Sequence, residues 1–105
     1  MRLVNLTPHD LRVVLPDDAV RVVPKSGTVA RVATARAAGP DVDGIPTVLT
    51  SFGEVEGLPA PTADTVYIVS GMVAARCGDR TDVFAPGELV RDADGNVVGC
   101  RGLSR

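Results

Sequence analysis

The chain has 105 residues and a mass of 10.9 kDa, the commonest size for a single domain, and residues 1–105 are read as one unit. With 45% hydrophobic residues, 23% charged residues and a formal net charge of −2, the composition excludes a disordered tail, a collagen-like repeat and a polybasic arm. It gives no electrostatic reason to bind nucleic acid or an anionic membrane. Phe52, Tyr67 and Phe84 are the only aromatic residues, so the core is expected to be aliphatic, and the recurrence of β-branched valine biases the chain toward sheet.

Taken in order, Arg2 to Leu6 reads as a short strand that Thr7-Pro8-His9-Asp10 interrupts, because proline fixes φ and lacks a donor. Leu11 to Leu15 and Ala19 to Val23, joined through Pro16-Asp17-Asp18, predict a β-hairpin closed by Pro24 to Gly27. Thr28 to Thr34 alternates at period two and predicts a strand with Val29 facing inward. Arg36 to Gly44 shows no sustained period and reads as a connection ending in an Asp43-Gly44 turn. Ile45 to Ser51 is the next strand, with Pro46 placing it at an edge or delaying its start.

Thr65 to Val69 is the most apolar run and reads as a central strand. Ser70 as N-cap and Gly78 as stop bracket one short helix over 70–77. Asp82 to Phe84 reads as a brief strand and Pro86-Gly87 as a turn. Glu88 to Arg91 pairs with Asn96 to Arg101 across Asp92 to Gly95, the strongest hairpin signal in the chain. The predicted fold class is therefore mainly β (β-rich α+β): a small mixed or antiparallel sheet or barrel with one short helix.

Cys77 and Cys100 are the only cysteines and His9 the only histidine, so Cys and His alone cannot supply a four-ligand zinc site. No metal or other cofactor is expected. The first fifteen residues carry Arg2, His9, Asp10 and Arg12, which break a signal-peptide core, and no apolar run is long enough to span a bilayer. The expected location is cytoplasmic, with both thiols reduced.

Three groups of residues carry candidate chemistry. Asn5, Thr7 and His9 place an amide, a hydroxyl and an imidazole around a rigid proline, to bind a polar ligand or to cap their own turn. Ser70 and Gly71, at a strand-to-helix junction, offer free backbone amides to an anion, with Arg76 and Arg101 as guanidinium partners; an ordinary helix cap is the alternative. Glu54 and Glu56, beside Phe52, share one face of an extended segment, either as a carboxylate pair or as a solvated face.

The words Asn5-Leu6-Thr7-Pro8-His9, Ser26 to Arg31, Phe52-Gly53-Glu54-Val55-Glu56-Gly57-Leu58-Pro59, Thr65 to Ser70 and Val97 to Arg101 together resemble an uncharacterised family of small proteins of bacteriophages, prophages and bacteria. The resemblance implies a setting rather than a reaction. Small phage proteins of similar size include sponges that sequester nucleotide-derived immune signals, an analogy of setting and not of motif.

The sequence reading is a non-enzymatic protein that binds a small anionic, nucleotide-derived ligand through Asn5, Thr7, His9, Ser70, Gly71 and the arginines, and that forms a homo-oligomer to cover its strand edges. The rival readings are a phage or host protein-interaction module, and a small hydrolase or lyase using Glu54, Glu56 and His9.

Overall fold

The computed structural model describes all 105 residues. Its strands are β1 (Arg2–Asn5), β2 (Leu11–Val14), β3 (Val20–Val23), β4 (Arg31–Ala38), β5 (Val48–Glu56), β6 (Thr65–Ile68), β7 (Val83–Arg91) and β8 (Val97–Ser104), with one helix, α1 (Gly71–Ala75), between β6 and β7. Six strands form a mixed sheet in the order β1-β6-β7-β8-β2-β3, and β4 and β5 form a separate two-stranded ribbon. The six-stranded sheet nearly closes on itself. Just past β3, Lys25 bridges Asn5 of β1, and Ser26 N donates to Asn5 O at 3.0 Å. The β-rich class with a single short helix is thus the observed one.

Turn chemistry fixes both hairpins of this sheet. Between β2 and β3, Asp18 takes φ 64°, and the Asp17 carboxylate accepts from Ala19 N at 3.1 Å. Between β7 and β8, Gly95 takes φ 83°, while the Asp92 carboxylate accepts from Asp94 N and Asn96 N at 2.9 and 3.0 Å. The central reading of Thr65 to Val69 also holds: β6 lies between β1 and β7, and Tyr67, Ile68 and Val69 are buried.

β7 runs unbroken through Pro86-Gly87, where a turn was expected. The carbonyls of Asp82 and Phe84 accept from Tyr67 N and Val69 N. By alternation Pro86 turns its donorless nitrogen to the same side, but β6 has already ended there, so no ladder bond is lost. Gly87 is required for a different reason: a Cβ at this position would run into the carbonyl oxygen of Arg101 on β8.

The ribbon is the second departure. The strand expected from Thr28 begins only at Arg31 and continues to Ala38, absorbing the first third of the expected connection. Ala30 takes the core position and Val29, expected inward, is half-buried. The chain reverses at Asp43 (φ 49°) and Gly44 (φ 78°), flanked by paired Val42–Ile45 hydrogen bonds of 2.9 and 2.8 Å. Pro46 delays β5 to Val48.

β5 then continues through Phe52 to Glu56, and its register steps from Val32↔Val55 to Thr34↔Phe52. One extra residue on β5 makes Gly53-Glu54 a β-bulge. The bulge puts Phe52 on the same face as Val55.

α1 and the foot of the ribbon cover one face of β1, β6 and β7. The buried cluster there consists of Leu6, Ala30, Tyr67, Val69, Val73, Cys77 and Val83, with Val32, Val55 and Leu58 packed against it. Ser70 caps α1, its Oγ accepting from Val73 N at 3.4 Å. The helix ends at Ala75, and Arg76 to Arg80 form turns instead of the longer helix expected.

Candidate functional site

Asn5 organises the segment that rims an open cavity. It is only 1% exposed, and its side chain is fully engaged inside the fold. Nδ2 donates to His9 O and to Val23 O, each at 2.9 Å, and Oδ1 accepts from Thr7 N at 2.9 Å and from Thr7 Oγ1 at 2.6 Å. The amide therefore ties the Thr7 to Asp10 turn to the end of β3. Asn5 positions this turn and has no polar atom left to reach a ligand. Asp10 adds a second tie, its Oδ1 accepting from Lys25 N at 2.9 Å.

The open cavity beside this turn has a volume of about 830 Å³, inside the range of roughly 300 to 1,000 Å³ typical of small-molecule sites. Its apolar floor comes from Leu11 on β2, Pro86 and Leu89 on β7, and Val97 and Val98 on β8. Leu89, Val97 and Val98 are 51%, 51% and 43% exposed, unusual for residues of this type in a single patch. The rim is polar: Thr7, His9, Asp10, Arg12, Ser70 and Gly71. The His9 ring makes no hydrogen bond, and the Arg12 guanidinium has neither a hydrogen bond nor a carboxylate within 4.0 Å. These two side chains retain all their donor capacity at the mouth.

Four of the residues singled out from the sequence, Thr7, His9, Ser70 and Gly71, thus line one cavity. A smaller recess of about 380 Å³ adjoins it, sharing Thr7, Pro8 and Ser70 and reaching Met72 on α1. The helix itself adds little field: five residues stack too few peptide dipoles for a macrodipole, and its Ser70 cap already accepts from one of the free amides.

The other candidates lie elsewhere. The Arg76 guanidinium stacks over the Phe52 ring, 4.7 Å from its centroid, at the far end of α1. Arg101 sits opposite Glu88 on β8 and approaches Asp18 at 3.8 Å, with both partners exposed. Glu54 and Glu56 are exposed on β5, with Glu56 opposite Arg31 in the ribbon register, and neither lines the cavity with His9. The acid–base constellation of His9 with the two glutamates is therefore not assembled in this fold.

Cys77 and Cys100 are both buried and unpaired, and burial pushes both thiols above their ordinary range. Cys100 lines the cavity, where its Sγ donates to Gly102 O at 3.5 Å. A protonated, hydrogen-bonded thiol of this kind is a poor nucleophile. No three His, Cys, Asp or Glu side chains cluster, and no helix is long and apolar enough to cross a membrane.

Sequence reading missed Arg12, Leu89, Val97 and Val98. Only the parallel pairing of β2 with β8, Val13↔Cys100 and Val14↔Arg101, brings Arg12 beside the β8 residues. No local signal encodes that long-range neighbour. Compared with family models, curated proteins and solved structures, the chain matches none.

Proposed function

We propose that this protein is a non-enzymatic binding domain for a small ligand with an apolar body and an anionic end, seated in the cavity between the Thr7–Arg12 segment and the β7–β8 hairpin. The observation that carries the reading is the pairing of an exposed apolar floor, Leu89, Val97 and Val98, with the unengaged donors of His9 and Arg12 at its mouth. The floor removes apolar ligand surface from water, and a charge-assisted bond to Arg12 orients the anionic group. Thr7 and Ser70 supply shorter-range polar contacts.

Nucleotide-derived signals have this mixed character, and a sequestering role for such a molecule is taken by analogy with small phage proteins of similar size, not from any motif. Binding without turnover is the expected mode, because the rim offers donors but no nucleophile–base pair. The test is thermal unfolding in the presence of a nucleotide and cyclic-dinucleotide panel. A ligand specific to the folded chain raises stability by RT ln(1 + [L]/Kd). A panel without any shift overturns the nucleotide reading, and a hit consumed over time overturns the non-enzymatic one.

A further inference from the structure

The β4–β5 ribbon is separate from the six-stranded sheet and exposed over most of its length. The chain exposes 7166 Å², about 1,600 Å² more than a compact monomer of this mass. Its radius of gyration is 16.8 Å, against about 13 Å for a compact chain of this length. Beyond the bulge both faces of the ribbon are open. Phe52, Val48 and Ala38 lie on one face with Thr34, Arg36 and Thr50; Leu49, Ala35 and Ala37 lie with Ser51 on the other. Val42, Ile45, Val48 and Leu49 are 60%, 64%, 63% and 58% exposed.

A two-stranded ribbon alone is at best marginally stable in water. Exposed strand edges in monomeric proteins are commonly guarded by charge or proline, yet from residue 33 to residue 53 only Arg36, Asp41 and Asp43 carry charge, two of them at the tip. Pro40 and Pro46 lie outside the strands, so between the bulge and the tip only Arg36 stands against pairing.

We infer that the β4–β5 ribbon is an association arm covered by a second copy of this chain. If each copy hides its excess surface, the interface totals about 3,200 Å², inside the roughly 2,000 to 5,000 Å² range of obligate homodimers. The occupant is self rather than a nucleic acid or membrane, because beyond the bulge the arm carries apolar bulk and small side chains with Arg36 as its single cation. The inference does not depend on what fills the Arg12 cavity, whose lining residues are all outside the ribbon.

Light scattering of the full chain at tens of micromolar is expected to give at least twice 10.9 kDa. Ile45→Asp with Leu49→Asp, both at exposed positions, is expected to weaken association roughly a hundredfold or more by burying unpaired charge in the contact. Val20→Asp, also exposed but on β3, should leave the mass unchanged. Hydrogen exchange of the wild type needs no variant to fold: amide protection over residues 33–38 and 48–52 should rise with protein concentration. A wild-type monomer, an unchanged mass in the double variant, or ribbon protection independent of concentration overturns the proposal.

Discussion

The Arg76 guanidinium lies 4.7 Å from the centre of the Phe52 ring, joining the end of α1 to the foot of the ribbon. The contact depends on the bulge at Gly53-Glu54, which brings Phe52 onto the face that Val55 buries against the core. Arg76 is therefore a structural residue. A double-mutant cycle of Phe52→Ala and Arg76→Ala, read by urea unfolding, should return a coupling of about 0.5 to 1 kcal/mol, while Arg76→Ala leaves ligand binding intact. Zero coupling would remove this tie.

Asn5 predicts a larger loss. Asn5→Ala leaves the carbonyl of Val23 and the groups of Thr7 without their partner in a site only 1% exposed. Denaturant unfolding should show a cost of about 2 to 4 kcal/mol. A loss below that of an ordinary surface substitution would show that the Thr7–Asp10 turn holds itself.

Arg80 clasps Asp82 through two bonds, Nε to Oδ1 at 2.8 Å and Nη2 to Oδ2 at 2.9 Å, and also donates to Pro59 O at 3.1 Å. These hydrogen bonds hold the Asp82 carboxyl below its ordinary range. Protonation therefore opposes folding. The stabilisation is complete above the unfolded value near pH 4 and is lost as pH falls through the lower folded value. Asp82→Asn should cost about 1 to 2 kcal/mol at neutral pH, and the gap from wild type should close in acid. A gap that persists below the folded value would assign the loss to packing.

The two buried thiols should react with a disulfide reagent far more slowly in the native chain than after unfolding, when both become accessible. Cys77→Ala and Cys100→Ala should each cost about 1 to 2 kcal/mol. Rapid native labelling of either thiol would contradict the burial and raised pKa described above.

For any ligand found by the panel, calorimetry of His9→Ala and Arg12→Ala should show about 1.5 to 3 kcal/mol of lost binding each, roughly 10- to 150-fold in affinity. Asp17→Ala, in the β2–β3 turn, is the control. If Arg12→Ala binds like the control, the ligand lies outside this cavity.

The legible parts of this fold are those whose signals are local. Pro16-Asp17-Asp18 and Asp92 to Gly95 specify their turns through side chains that bond their own backbone, and Ser70 caps a helix within three residues of itself. The ribbon was only half legible, because Ala33, Ala35, Ala37 and Ala38 give no contrast between a buried and an exposed face. Its bulge inverts the alternation at Phe52 without a glycine of positive φ to announce it. Thr7 and His9 could be connected to Ser70 by following the chain into and out of the most buried strand. Arg12 could not be placed, since its neighbours arrive from nearly the other end of the sequence.

That same parallel pairing of Val13 and Val14 with Cys100 and Arg101 sets a timetable for synthesis. β2 can form its hairpin with β3 early, yet its other edge stays open until β8 has left the ribosome, and β1 waits likewise for Thr65 to Ile68. The six-stranded sheet thus has no complete form that a nascent chain can reach by stages. Such sequence-distant strand pairings slow folding relative to local ones. For this protein the slow step is expected to follow emergence of β8, with the β2–β3 and β7–β8 hairpins already formed and the sheet closing last.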